Sequence, residues 1–277
     1  MRLRRDEIRY DFGGATFDLG GDRDLLGWIM SQFLYGEVTG IQVGHWIHHA
    51  PDLTSAQFLA RQCAQELSHV RLVRRIFDRL GTEPRPAHRL VRFLSTGLMG
   101  ASWEEHTCLE MALGEGYVLT VFYALIDTIP DAEIRRLLEA AARQEETHVA
   151  FGEEQTQRAA RDPRVRRHLL GMSLLSLWVM QRLAGSMGRG MDPSHPVWRA
   201  LPGFAQHTVA VSELRLRRLG ILEVPLAEIR RAARVQRIGS SLASRTLAGL
   251  LPRRRRLLTR TYLEDRTIAP APSPPGR

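Results

Sequence analysis

Between residues 25 and 160 apolar side chains recur three and four apart in four runs, separated by turn-forming residues. The first run holds Met30, Phe33, Leu34 and Ile41 and is expected to end near Ala50-Pro51. The second is expected to begin at Thr54, where Thr54-Ser55-Ala56-Gln57 reads as a capping box. Ser102-Trp103-Glu104-Glu105 has the pattern of a helix start and opens the third run, which carries Met111, Ala112, Val118, Leu119 and Phe122. A turn at Ile129-Pro130-Asp131 separates it from the fourth. Between the second and third runs, Gly81 to Gly100 includes Pro84 and Pro86 and is long enough to recross a bundle. The pattern predicts an all-α chain, two helical hairpins joined by a long crossover, and the only competing strand signal is a short segment near Ile8 to Phe17.

The helical pattern continues past residue 160. Val165 to Gly190 reads as a fifth helix, and its apolar stretch from Leu169 to Met180 is too short, and too soon interrupted by Gln181 and Arg182, to span a bilayer. No transmembrane segment is expected. A Gly- and Pro-rich loop from Gly188 to Gly203 precedes helices near Phe204 to Leu219 and Leu226 to Leu250, and Ile268 to Arg277, with four prolines, is expected to be disordered. The expected layout is an N-terminal segment over 1–24, a four-helix bundle over 25–160, a helical extension over 161–267 and a tail over 268–277.

Inside these apolar faces stand residues that do not belong in a hydrocarbon core. Glu37 and Glu115 are each embedded among apolar neighbours, and about thirty residues beyond each comes a Glu-x-x-His pair, Glu66/His69 and Glu145/His148. A glutamate and a histidine three apart share one helix face, so both can reach a single metal ion. Glu37 lies 13 residues before Ala50 and Glu66 12 after Thr54, while Glu115 lies 14 before Ile129 and Glu145 14 after Asp131. At about 1.5 Å per residue each hairpin therefore brings its ligands to one height. Buried carboxylates without a partner are costly, and metal ions would satisfy all six side chains together. Four carboxylates and two imidazoles without a thiolate favour iron or manganese over structural zinc. Interhelical salt bridges are the bland alternative for any one residue, but they do not explain the repeat. Glu104, Glu105, Glu110 and Glu146 read as solvated or capping residues. Gly36, Gly40, Gly44 and Gly116 leave room either for a pocket or for close helix packing.

Residues 25–156, with the run Gln144-Glu145-Glu146-Thr147-His148-Val149-Ala150-Phe151-Gly152 in place of a fourth bundle helix, resemble the ferritin-like di-iron carboxylate superfamily. The resemblance implies a ferritin-like bundle, two iron ions (or a manganese/iron pair) on Glu37, Glu66, His69, Glu115, Glu145 and His148, and dioxygen as co-substrate, with Glu66 and Glu145 first in line to bridge. Val73 stands where the ribonucleotide reductase branch has a radical tyrosine, and Ala141 where the arylamine N-oxygenase branch has a further histidine. The two cysteines, Cys63 and Cys108, are too few and too far apart for a rubrerythrin-type iron module and read as small core residues. The set is similar to aldehyde-deformylating oxygenases, bacterial di-iron hydroxylases and the di-iron tRNA hydroxylase. The implied activity is oxidation of a small or carrier-tethered organic substrate, fed by an electron donor such as a ferredoxin or reductase. A metal-handling ferroxidase without an organic substrate, or a di-iron tRNA hydroxylase using the basic C-terminal half, is the alternative.

Charge is divided unevenly. All 39 basic residues are arginine, which excludes Schiff-base chemistry on lysine. Residues 1–156 hold 16 Arg against 23 acids, and residues 157–277 hold 23 Arg against 7 acids, so net charges of −7 and +16 sum to the overall +9. Arg253 to Arg256 is the densest cluster. A basic face suits an acidic protein partner, a coenzyme-linked substrate or anionic lipid. Nucleic acid is disfavoured, because no RNA-binding motif with interleaved aromatics is present. Arg2, Arg4 and Arg5 are followed by Asp6-Glu7 rather than an apolar run, so no signal peptide is expected, and a cytoplasmic setting fits the unpaired cysteines. A homodimer is left open.

Overall fold

The computed structural model describes residues 3–97, 100–187, 192 and 194–250, so the Arg253 to Arg256 cluster and the 268–277 tail lie outside the described residues. The described chain is all-α, with no strand. Helix α1 spans Arg23–Gly40, α2 Leu53–Leu80, α3 Trp103–Thr128, α4 Ala132–Ala159, α5 Pro163–Met187, α6 Pro196–Arg218 and α7 Arg231–Leu250. Near Ile8 to Phe17, where a short strand was possible, the chain is irregular with a turn at Gly13 and Gly14, and a helical turn, Arg5–Ile8, precedes it.

Helices α1 and α2 form one hairpin, α3 and α4 a second, and the two pack together through α2 and α4. Local chemistry sets their ends. The carboxylate of Asp52 accepts from the Ser55 amide at 2.7 Å, so α2 starts before the Thr54 box and is capped by Asp52 instead. At its other end Gly81 adopts the left-handed conformation (φ 63°), and the Thr82 amide bonds back to the Phe77 carbonyl at 3.2 Å. Asp131 caps α4 by accepting from the Ile134 amide at 2.9 Å. The core between the four helices is built from Leu26, Met30, Ile76, Phe77, Leu119, Phe122, Ile134, Leu138 and Ala142.

Two departures from regular α-helix matter. After Gly40 the first helix tightens into a 3₁₀ segment, Ile41–His49, rather than running on as α-helix to Ala50. Just before it the backbone comes close to α2: a Cβ on Gly40 would lie 2.8 Å from a carboxylate oxygen of Glu66. Within α3, His106–Glu115 is π-helical, with Gly152 of α4 pressed against it. A Cβ on Gly152 would stand 2.5 Å from Cβ of Met111 and 2.8 Å from the Ala112 amide nitrogen.

The connection from α2 to α3 is tied down by buried polar groups of α1. Ser31 Oγ accepts from the Arg85 amide at 2.9 Å, and Gln32 Oε1 accepts from the His88 amide at 2.7 Å. Helices α5 and α6 lie against α3 through a second core of Cys108, Leu113, Leu169, Met172, Leu216 and Leu222. The expected loop from Gly188 to Gly203 is shorter, because α6 begins at Pro196, which suits the first turn of a helix capped by His195. One ionic contact of this layer is fully buried: Arg215 Nε donates to Glu153 Oε1 at 2.9 Å, and the guanidinium occupies the space a side chain on Gly116 would need. By length and composition α3 would suffice to cross a membrane, but 67% of its most apolar window is buried within the protein, as in a core helix.

Candidate metal centre

Each of the four hairpin helices delivers its share of one cluster: Glu37 from α1, Glu66 and His69 from α2, Glu115 from α3, Glu145 and His148 from α4. One potential ligand atom from each of Glu37, Glu66, His69 and Glu145 lies within 4.8 Å of the others, and the same holds for Glu66, Glu115 and His148. All but Glu115 are buried, and Glu115 is half-buried at the wall of a cavity.

The cluster is organised around the two histidines. His69 Nδ1 lies 3.0 Å from Glu37 Oε2, 3.2 Å from Glu145 Oε1 and 3.8 Å from Glu66 Oε2. His148 Nδ1 lies 3.4 Å from Glu66 Oε1 and 3.3 Å from Glu145 Oε2. Both Glu-x-x-His glutamates thus present one oxygen to each imidazole, whereas Glu37 faces the His69 side and Glu115 groups with His148.

Three buried atoms of the cluster, Glu115 Oε2, Glu145 Oε2 and His148 Nδ1, have no hydrogen-bond partner among the described residues. Acceptors converging on one volume without a donor repel one another, and a cation between them removes that cost. The donor set of carboxylate oxygens and imidazole nitrogens fits divalent first-row metals. Burial holds the carboxyls of Glu37 and Glu115 well above the usual range, and the neighbouring carboxylates push in the same direction. For Glu145 burial acts upward but is overcome by His148 and His69, which hold it at about 2. For His69 burial acts downward but is overcome by hydrogen bonds to Glu145, Glu37 and Glu66, so this imidazole is raised.

Three glutamines that sequence patterning missed complete the cluster. Gln144 Oε1 lies 2.9 Å from His69 Nε2, and Gln65 Oε1 lies 2.7 Å from His148 Nε2, so the amide oxygens place a proton on each Nε2 and turn each Nδ1 inward. The pairs are crossed: Gln65 precedes Glu66 on α2 but holds the histidine of α4, and Gln144 precedes Glu145 on α4 but holds the histidine of α2. Gln62 Nε2 donates to Glu115 Oε1 at 2.6 Å. The available signal was the longer repeat Gln-Glu-x-x-His, present in both halves. Replacing Gln144 by leucine is expected to weaken metal binding about 10- to 100-fold by freeing the His69 ring. Competition with a chelating dye measures this, and an unchanged affinity would remove Gln144 from the site.

Four acids read as solvated or capping residues divide differently. Glu105 is buried, accepts from the Ala101 amide at 2.6 Å and pairs with His168 Nε2 of α5 at 2.6 Å. Its partner is 63 residues away, so no local pattern could reveal it. Glu110, half-buried, pairs with His106 Nδ1 at 2.9 Å. Glu146 is exposed and accepts from the Tyr123 hydroxyl, and Glu104 is half-buried. Cys108 is a fully buried free thiol pushed up to about 12 by burial, and Cys63 is free and half-buried.

A cavity of about 350 Å³ opens on the cluster, with Glu37, Glu66, Glu115 and Glu145 in its wall. The rest of the wall is mainly apolar: Trp28, Ile29 and Phe33 from α1, Val91 and Leu94 from the α2–α3 connection, Val118, Val121 and Leu125 from α3. Met172 and Met180 of α5, Val197, Leu201 and Phe204 of α6, and Phe12 and Phe17 of the N-terminal segment add to it. Of the four glycines, Gly36 and Gly40 line this cavity, whereas Gly44 packs against Cys63 and Gly116 against Arg215. Comparison with family models, with curated proteins and with solved structures returns no match to the chain.

Proposed function

We propose that this protein is a non-haem di-iron oxidoreductase of the ferritin-like four-helix-bundle kind, which activates dioxygen to oxidise an organic substrate. Glu37 and His69 would hold one ion, Glu115 and His148 the other, and Glu66 and Glu145, each facing both imidazoles, would bridge them. The observation that carries the reading is the mainly apolar cavity with the four carboxylates in its wall, because it offers room for an organic molecule beside the metals. A protein that only stored or oxidised iron would have no use for such a lining.

When bound, the iron pair would supply the electrons and the Lewis acidity for dioxygen reduction. The chain contributes the rest. Gln65 and Gln144 fix the imidazole tautomers, Gln62 orients Glu115, and the apolar wall keeps water from the reacting carbon. An external reductant, such as a ferredoxin with its reductase, would restore the ferrous state, and the basic C-terminal part would suit an acidic donor.

Anaerobic titration is expected to saturate at two ferrous ions per chain. Binding should tighten as pH rises through neutrality, because the raised carboxyls of Glu37 and Glu115 and the raised His69 must release protons to the solvent. Proton release on metal addition, followed with a pH indicator, checks the sign. Fewer than two ions, or affinity that falls with pH, would refute the centre. Continued oxidation of excess ferrous iron, indifferent to organic additives, would assign metal handling instead.

A further inference from the structure

The shape and lining of the cavity bear on what the substrate is. On α3 its longer apolar arm runs from Glu115 to Thr128, thirteen residues and so roughly 20 Å along the helix axis, and the wall continues past the cluster the other way to His106. On α1 the same arm runs from Glu37 back to Trp28, nine residues or roughly 13 Å, and the wall continues the other way to Val43. A wall that extends so far along two helices makes this cavity of about 350 Å³ elongated, a channel and not a round pocket. At Gly36, which lines it, an added Cβ would meet nothing within 4 Å, so backbone is bared to the lumen one residue from Glu37. The carboxyl and imidazole groups of the wall are five glutamates, Glu37, Glu66, Glu110, Glu115 and Glu145, and His106, which is paired with Glu110, and among the described residues no arginine lines it. An anionic head group pushed down the channel would meet these carboxylates with no arginine among the described residues to receive it.

Resting on the di-iron reading above, we propose that the substrate is a long, unbranched, apolar chain, such as an alkyl or acyl chain, that enters this channel lengthwise with an uncharged end at the carboxylate cluster. The length of the channel sets a preferred chain length. Val121, midway along the α3 wall and six residues beyond Glu115, is one of the side chains that sets it.

The test is a length series of straight-chain alcohols from hexanol to hexadecanol, bound to the full chain with and without anaerobic ferrous iron and measured by calorimetry. Affinity is expected to rise about fourfold per methylene until the channel is full and then level off. Terminally brominated dodecanol should quench the fluorescence of Trp28, and W28F should lose that quenching. V121F should bind hexadecanol about tenfold more weakly while leaving hexanol nearly unchanged, since the added ring closes only the far half. Affinity indifferent to chain length, no binding, or quenching that survives in W28F would overturn the proposal; the wild-type series decides the matter even if V121F fails to fold. A length-dependent series in a chain that binds no metal would instead overturn the di-iron reading alone. Two ferrous ions bound beside a flat series would overturn the chain inference alone.

Discussion

Replacing Glu115 by glutamine is expected to abolish binding of two metal ions per chain and, in the metal-free protein, to raise stability. The two effects share one cause. Glu115 is a carboxyl at the wall of a cavity, with one oxygen satisfied by Gln62 and the other without a partner, and three more carboxylates stand in the same cluster. Its raised pKa means that the fold disfavours the ionised form. A carboxyl raised on folding costs stability above its unfolded pKa, and the cost grows as pH rises toward the folded value, so neutral conditions show it. Glutamine keeps the shape, removes the charge and should stabilise the metal-free chain by about 1–3 kcal/mol in urea unfolding. Wild type should recover by binding metal, by about 2.7 kcal/mol per site at a hundredfold excess over Kd, and the variant should not. A metal-free variant less stable than wild type, or one that still takes up two ions, would show that Glu115 has a structural role.

Replacing Glu153 by leucine is expected to cost about 3–5 kcal/mol, because it strands the guanidinium of Arg215 in the interior. Arg215 is 1% exposed, its Nη atoms have no hydrogen-bond partner among the described residues, and burial already lowers its pKa. Glu153 is its one neutralising contact there. The double variant with Arg215→Met should regain most of the loss, since a methionine occupies a similar path beside Gly116 without a charge. Urea midpoints for the two single variants and the double variant complete a cycle. A single-variant loss below about 1 kcal/mol would mean that water reaches the guanidinium.

Much of the metal cluster was legible because its determinants are local. Helix ends near Gly81 and Asp131 follow from residues within a turn of them, and once both turns are placed, spacing alone brings six acids and histidines to one level. What stayed hidden depends on contacts between distant segments. The close approach of Gly40 to Glu66 spans two helices, and the buried role of Glu105 needs His168. Gln65 and Gln144 were visible as a repeat, but an uncharged amide beside a charged motif draws no attention until its partner across the interface is known. The basic C-terminal region was read by its charge, yet its inward faces, Met172, Leu201 and Phe204, line the channel. Net charge describes the solvent side of a helix and says nothing of the other side.

The crossed glutamine–histidine pairs carry a consequence for how the centre is assembled. Neither hairpin can orient its own imidazole, since the amide that does so belongs to the other. An isolated hairpin would therefore offer metal a loosely held ring and two carboxylates, a poor competitor for any ion. Only after docking do both Nδ1 atoms face inward, and they do so together. A metal held by both rings in this way would report that the two halves of the fold have docked.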